Sequence, residues 1–226
     1  MAHVPAGGQV SKTSAPDLPE GAIPWVHEVG RVIGRYLYRP AFRFRVHSMD
    51  QFPMDGPVVL VANHSSMIEP QVLFGIVPRR SVFLVKGELF KGIAGRGLRA
   101  IGQLAIRRGE ADRKPLLAAV RVLRGGGVIG VFPEGTRGEG DVVNAEQGAA
   151  WLVRQSGALV QPVAVRGTRR PEGSPRRFRP VVDVLVGKPF ELTVGPGRSG
   201  LVAGTEQIRV ALADLVGELD RMRDLR

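Results

Sequence analysis

The sequence predicts a single α/β domain with a mixed, largely parallel sheet flanked by helices and an N-terminal amphipathic helix. Short runs rich in β-branched residues alternate with segments of helical periodicity along most of the 226 residues. Such alternation is typical of sheets whose strands are connected by helices. The proportions of hydrophobic (43%) and charged (23%) residues are those of an ordinary globular domain that buries a sizeable core.

Seven apolar runs predict strands. They span residues 42–47, 58–62, 81–85, 103–106, 127–132, 159–165 and 181–186. Helical patterns between or after them predict five helices, over residues 66–77, 90–100, 110–124, 144–156 and 205–222. The glycines at 125–127 end the third of these, because glycine stops a helix more readily than it continues one.

The N-terminal amphipathic helix is predicted over residues 23–38. Its apolar side chains recur at helical spacing, and arginines lie on the complementary side. These are Trp25, Val29, Val32, Ile33, Tyr36 and Leu37, with Arg31, Arg35 and Arg39. Either the apolar stripe packs on the core, or the helix lies at a membrane interface with its aromatic residues near headgroups and its arginines toward phosphates.

This helix divides the chain into three predicted parts. Residues 1–21 are rich in Pro, Gly, Ala and Ser without apolar periodicity, which predicts a flexible tail. Residues 22–40 form the amphipathic segment, a candidate for a membrane surface, and residues 41–226 form the main domain. No apolar run approaches the roughly 18 residues that cross a bilayer, and the start lacks the apolar centre of a secretory signal. We therefore expect peripheral attachment at the cytoplasmic face of a membrane, without a transmembrane span.

The charge of the chain favours phosphate-bearing partners. The net charge is +11, and arginine accounts for 27 of the 32 basic residues. Nucleic acid, anionic lipid and phosphorylated substrates all fit this charge. Within the basic segment 166–180 only Phe178 is aromatic, so a platform for stacking bases is missing and no nucleic acid is expected. Cysteine is absent, which excludes disulfides, thiolate zinc sites and a cysteine nucleophile.

His64 directly follows an apolar strand and precedes Glu69 by five residues. Five residues on one helix turn through about 500°, which would point the two side chains apart. In a turn before the helix, with Ser65 or Ser66 capping it, His64 can instead be reached by the Glu69 carboxylate. A carboxylate that holds one ring nitrogen leaves the other as a base. A histidine at a strand end is, taken alone, more often structural.

A second polar segment follows the strand 127–132. It carries Glu134, Gly135, Thr136 and Arg137, where backbone N–H groups and a guanidinium can cradle a phosphate. Taken alone, this is a turn with solvated charges. Arg107 and Arg108 follow the strand 103–106 and offer a second positive wall, or an ordinary solvated face.

Four segments together carry a family resemblance. NHSSMIEP, GQLAIRR, VFPEGTR and LVQPVAV, in that order over residues 57–166, resemble the four blocks of the glycerol-phosphate and lysophosphatidic acid acyltransferase family. The resemblance makes 41–226 an acyltransferase domain. It implies that His64 deprotonates the acceptor hydroxyl, that Glu69 orients His64, and that Pro162 marks a buried strand tied to acyl-chain binding or catalysis. It assigns the acceptor-phosphate site to the second and third blocks, at Arg108, Glu134, Gly135, Thr136 and Arg137.

The same resemblance implies the reaction. A fatty-acyl group passes from acyl-CoA or acyl carrier protein to the hydroxyl of a lysophosphatidic-acid-like acceptor in phospholipid biosynthesis, at an anionic membrane surface, without metal or other cofactor. One departure is clear: the family has Asp where this chain has Glu69, followed by Pro70. Asp112, Glu139 and Asp141 are possible substitutes for that carboxylate. The alternatives are a weakly catalytic relative that binds lysolipid or acyl chains, and a basic nucleic-acid-binding module.

Overall fold

A computed structural model of the chain describes residues 17–106, 113–135, 139–169, 173 and 178–225. The strands are β1 (Arg43–His47), β2 (Val58–Ala62), β3 (Ser81–Lys86), β4 (Leu104–Ile106), β5 (Val128–Val131), β6 (Leu159–Arg166) and β7 (Val181–Val186). The helices are α1 (Pro24–Tyr36), α2 (Glu69–Ile76), α3 (Gly92–Ala100), α4 (Lys114–Arg124), α5 (Gly148–Ser156) and α6 (Gly197–Asp224). Single 3₁₀ turns lie at Met49–Gln51 and Gly87–Leu89.

The strands form one sheet in the order β1-β7-β6-β2-β5-β3-β4. Every neighbouring pair is parallel except β6 and β7. The carboxyl ends of β2, β3, β5 and β6 therefore meet at one end of the sheet, together with the first residues of β7 and β1. We call this end the site edge, because open α/β sheets place ligands there. The predicted mixed, largely parallel sheet is confirmed.

Helices cover both faces of the sheet. Along β2, Val59 and Val61 face the core beneath α4 and α5, whereas Val58, Leu60 and Ala62 face the core beneath α2. All five residues are fully buried, as expected for a central parallel strand with helices on both sides. Helix α6 lies on the same face as α4 and α5 and covers β6 and β7 through a third apolar cluster.

The strand predictions hold more closely than the helix predictions. The limits of β2 and β7 are those predicted, and the ends of the other strands differ from the prediction by at most one residue. Helix α2 begins at Glu69 instead of residue 66, with Pro70 at a position where its fixed φ suits a helix start. Helix α6 begins at Gly197, eight residues before the predicted start, because its glycine-containing first turn carries no apolar pattern.

Helix α1 packs on α2 through small residues. A Cβ atom on Gly34 would lie 2.6 Å from the carbonyl oxygen of Gln71, and one on Gly75 would overlap the backbone of Arg35. The glycines thus permit backbone contact between the two helices. The docked face also buries His27, whose Nδ1 donates a 2.7 Å hydrogen bond to the carbonyl of Ile101.

The apolar stripe of α1 points away from the core. Trp25 is 70% exposed, Val32 57% and Ile33 53%. The interpretation in which this stripe packs on the core is therefore wrong, because glycines rather than large apolar residues make the close contact with α2. Arg31 and Arg35 bond the carbonyls of Val77 and Gly75 at the end of α2, so these two guanidiniums serve a helix terminus. No helix in the described ranges combines the length and the apolar character that a membrane span requires.

Candidate active site

His64 lies at the site edge, in the turn that leads from β2 into α2. Asn63, which precedes it, is fully buried and extends the pairing of β2 with β6. Its side-chain amide donates to the carbonyl of Val165 (2.9 Å) and accepts from the N–H of the same residue (2.8 Å). This pair of bonds fixes the backbone at the point where the His64 side chain leaves the sheet.

The structure brings His64 and Glu69 together. The Nδ1 atom of His64 lies 3.0 Å from Oε2 of Glu69, which is the first residue of α2 and is fully buried. The positive end of the helix dipole also favours a carboxylate at this position. His64 therefore lies in the turn, as the helical geometry required. Neither serine caps α2: Ser65 instead donates to Glu69, through its N–H (2.9 Å) and its hydroxyl (2.6 Å).

Glu69 is held in its ionised form. Burial alone would raise the pKa of its carboxyl, but hydrogen bonds from His64, Ser65 and Thr168 outweigh burial and bring the pKa below its ordinary value. An ionised carboxylate accepts hydrogen bonds only, so the proton between the two side chains lies on Nδ1 of His64. The Nε2 atom of neutral His64 is then the acceptor.

The His64 ring packs against the ring of Phe132. The two ring centroids are 4.5 Å apart and the ring planes differ by 34°. The His64 side chain keeps 17% of its surface exposed, and within the described part of the chain its Nε2 has no hydrogen-bond partner. The imidazole is thus fixed in orientation while its unoccupied nitrogen remains accessible to a substrate.

Glu134, in the turn after β5, holds the backbone of His64. Oε1 of Glu134 accepts a 2.7 Å hydrogen bond from the backbone N–H of His64. Burial raises the pKa of the Glu134 carboxyl and the nearby Glu69 carboxylate adds to the rise, while the bond from His64 opposes it. Gly135 has a φ of +71°, and a Cβ atom there would lie 2.9 Å from Cγ of Glu146. The carboxylate of Glu134 is directed at the protein backbone.

Several predicted residues lie outside the described ranges, namely Arg107, Arg108, Asp112, Thr136 and Arg137. The proposed phosphate-binding arginines therefore have no described position. Glu139 and Asp141, considered as substitutes for Glu69, pair with Arg169 (2.5 Å) and Arg166 (2.6 Å). The described contacts of His64 are with Glu69, Glu134 and Phe132 instead.

Pro162 lies inside the sheet. It is buried in β6 opposite Val61, one residue pair before the end of β2, and its carbonyl accepts a 3.0 Å hydrogen bond from Gly187. Among the described residues, no group of three or more histidine, aspartate or glutamate side chains is arranged to hold a metal ion.

Sequence reasoning missed Thr168, which lies two residues beyond β6. Its hydroxyl donates a 2.6 Å hydrogen bond to Oε1 of Glu69 across 99 positions of sequence. No local pattern marks this threonine, because the contact depends on β6 lying beside β2 in the sheet. Asn63 is the first residue of the first block, but the bonds of its side chain to the Val165 backbone depend on the register of β2 and β6, which the sequence does not show.

Comparison with known proteins identifies the family of the chain. The family model described as Acyltransferase matches residues 43–166, more than half of the chain. The 1-acyl-sn-glycerol-3-phosphate acyltransferase of Bacillus subtilis is 25% identical over 79% of this chain and 90% of its own length.

Two further comparisons agree. The human 1-acyl-sn-glycerol-3-phosphate acyltransferase alpha is 31% identical over 58% of this chain, and the match spans about half (47%) of the human protein. The crystal structure of the 1-acyl-sn-glycerophosphate acyltransferase PlsC from Thermotoga maritima shares the fold, with a TM-score of 0.65, 22% identity and coverage of 87% of this chain and 79% of that one. The chain therefore belongs to the acyltransferase family, and it is an O-acyltransferase by that membership.

Proposed function

We propose that this enzyme transfers a fatty-acyl group from a thioester, acyl-CoA or acyl carrier protein, to the free hydroxyl of lysophosphatidic acid in phospholipid biosynthesis. The observation that carries the proposal is the His64–Glu69 pair, with a fully buried carboxylate 3.0 Å from one ring nitrogen. The names of the relatives from Bacillus subtilis and human support this acceptor.

The chemistry follows from the state of the imidazole. Nε2 of His64 takes the proton of the acceptor hydroxyl while its oxygen attacks the thioester carbonyl. Glu69 stabilises the imidazolium that forms, as the carboxylate does in a serine-protease triad. The tetrahedral intermediate then collapses, the C–S bond breaks, and the leaving thiolate takes the proton from His64. The substrate hydroxyl is the nucleophile, so the mechanism requires no metal or prosthetic group.

The turn after β5 and the segment after β4 form the proposed acceptor-phosphate site. Arg108 and Arg137 would supply guanidiniums, and Gly135 and Thr136 the backbone of the cradle. Glu134 supports this site by holding the backbone of His64, since a carboxylate would repel a phosphate. Replacing Arg137 with Ala should raise KM for the phosphorylated acceptor about tenfold or more and change kcat less.

We assign the outer face of α1 to an anionic membrane at the cytoplasmic face, where thioester donors are available. Its exposed Trp25, Val32, Ile33 and Tyr36 are the side-chain types that enter a headgroup layer. Helix α1 leads into β1, whose first residue pairs with the first residue of β7 at the site edge. A membrane on this face would thus lie close to the end of the sheet that carries His64, and the net charge of +11 favours anionic lipid.

The test uses purified protein, a panel of lysolipids and isotopically labelled acyl donors, with mass spectrometry of the lipid products. The wild-type protein should acylate lysophosphatidic acid, and His64→Ala should lower kcat on the order of 10²–10⁴-fold without loss of folding. His47→Ala is the matched control. His47 is the last residue of β1, at the end of the strand that points away from the site edge, and its ring bonds Asp183. Full activity of the His64 variant would refute the mechanism.

The weakly catalytic alternative is motivated by the glutamate that replaces the family's aspartate. The 3.0 Å contact with His64 weighs against it, since the longer side chain reaches the ring nitrogen. Measuring kcat of Glu69→Asp separates the two cases. A large gain would indicate an impaired natural enzyme, and a loss would indicate a site built around glutamate.

A further inference from the structure

Glu69 receives hydrogen bonds on both carboxylate oxygens. Its Oε2 atom accepts from Nδ1 of His64 and from the N–H of Ser65. Its Oε1 atom accepts from the hydroxyls of Ser65 and Thr168, each at 2.6 Å. The carboxylate has no exposed surface, so these bonds replace the water that an ionised carboxylate would otherwise require.

Thr168 is the one of these donors that reaches Glu69 from a distant part of the chain. His64 and Ser65 belong to the same turn as Glu69, whereas Thr168 lies in the segment after β6, 99 positions later. The turn itself supplies two donors to Oε2 and one donor, the Ser65 hydroxyl, to Oε1. The Thr168 hydroxyl adds a second bond to Oε1 from outside the turn, so the rotation of the carboxylate plane relative to the His64 ring is held by the segment after β6 as well as by the turn.

The length of the side chain explains why such a donor is needed. A glutamate carries its carboxylate about 1.5 Å, one C–C bond, farther than an aspartate does. It also has one more rotatable bond, so its carboxylate is less constrained by the backbone. A donor on Oε1 that is held outside the turn, in addition to the Ser65 hydroxyl, restricts that freedom further. From an aspartate at this position, the Thr168 hydroxyl would be about 4 Å away, beyond hydrogen-bonding reach.

We infer that Thr168 is a positioning residue of the acyl transfer, which orients the Glu69 carboxylate and thereby His64 in compensation for the longer glutamate side chain. This inference rests on the proposed function, in which His64 is the base. Thr168 touches neither substrate in this scheme and acts through Glu69.

The primary experiment measures kcat and KM of Thr168→Val and Thr168→Ser. Valine has nearly the same shape as threonine without the hydroxyl, and serine keeps the hydroxyl. We expect Thr168→Val to lower kcat about 10- to 100-fold while KM for lysophosphatidic acid stays within about twofold, because the change affects orientation and not binding. Thr168→Ser should restore kcat to within about threefold of wild type.

Thr205→Val is the matched control. Thr205 is a buried threonine of α6 whose hydroxyl has no hydrogen-bond partner within the described part of the chain. Its replacement should leave kcat and KM unchanged. Wild-type kcat in Thr168→Val, or equal losses in the valine and serine variants, would overturn the inference.

A double-mutant cycle tests the link to side-chain length. In a Glu69→Asp background the Thr168→Val change should cost less than about twofold in kcat, because the shorter carboxylate is out of reach. Equal costs in the two backgrounds would contradict compensation. An aspartate background without measurable transfer would itself show that the site depends on the longer side chain, and the valine and serine variants would then decide on the hydroxyl.

A measurement without substrate separates this inference from the proposed function. In Thr168→Val the pKa of the Glu69 carboxyl should rise, because one hydrogen bond to its ionised form is lost; carboxyl ¹³C NMR titration would detect the rise. A rise in a protein that does not acylate lysophosphatidic acid would refute the function and keep the positioning role. An unchanged pKa of Glu69 together with wild-type kcat in an active enzyme would refute the positioning role of Thr168 and keep the proposed function.

Discussion

The turn around His64 and the outer face of α1 depart from the usual distribution of side chains in opposite directions. In the turn a fully buried carboxylate receives four hydrogen bonds from the protein itself. On α1, large apolar side chains such as Trp25 and Val32 are exposed and find no cover in the described structure. The first region is complete within one chain. Under the proposed function, an anionic membrane surface covers the second region.

The largest expected effect is that of Glu69→Gln, which tests whether catalysis depends on the buried negative charge of Glu69 and not only on the shape of its side chain. Glu69→Gln keeps the size of the side chain but removes the charge that stabilises imidazolium. Because the analogous change in a serine-protease triad is so costly, kcat should fall on the order of 10³–10⁴-fold. Steady-state kinetics at saturating acceptor would measure this. A loss below tenfold would mean that the turn needs only hydrogen-bonding shape, and circular dichroism controls for folding.

The second effect tests the exposed half of the comparison. The pair Val32→Glu and Ile33→Glu places charge on the outer face of α1. Each apolar side chain is worth about 1.5–3 kcal/mol when fully buried, so binding to phosphatidylglycerol-containing vesicles should weaken on the order of 100-fold. Vesicle co-sedimentation would measure it.

Val202→Glu provides the control for that pair. Val202 is 50% exposed, but it lies on α6, away from α1. Its substitution should leave vesicle binding nearly unchanged. If the double variant and the control bind vesicles equally, the outer face of α1 is not the membrane surface and its apolar stripe has another partner.

The two regions also differ in how far the sequence predicts them. The limits of β2 were predictable because a buried strand reads as an unbroken apolar run, and the five-residue spacing allowed one geometry for a His64–Glu69 contact. The direction of the α1 stripe was not predictable, since periodicity defines a helix and its faces but not which face docks. Gly34 and Gly75 decide that, by contacts between distant segments. The role of Thr168 was not predictable for the same reason, since its contact with Glu69 also joins distant segments.

A third prediction asks whether the regions are coupled through α2, which carries Glu69 at its start and supports α1 near its end. In Gly75→Ala the added methyl would overlap the backbone of Arg35, so α1 must shift. We expect the free energy of unfolding to fall by about 1–3 kcal/mol, as measured by denaturant unfolding.

Gly97→Ala is the matched control for that change. Gly97 lies within α3, where a Cβ atom would meet nothing within 4 Å, so the substitution should stabilise by about 0.5–1 kcal/mol. If kcat of Gly75→Ala stays at the wild-type value while vesicle binding falls, the two regions share a support but work independently. A parallel fall in both would show that the position of α1 reaches the catalytic turn.

The smallest effect distinguishes the two carboxylates that contact His64, Glu69 and Glu134, by the pH dependence of stability. The pKa of Glu69 is lowered in the folded protein, so its contribution to stability is present above the ordinary value of 4.5 and is lost as the pH falls through the folded pKa. The pKa of Glu134 is raised, so its contribution is present below 4.5 and is lost as the pH rises through the folded pKa. From about pH 3 to pH 7, the stability of wild type relative to Glu69→Gln should therefore rise, and relative to Glu134→Gln it should fall. Urea unfolding at each pH measures both slopes, and slopes of the same sign would mean that Glu134 is satisfied as fully as Glu69.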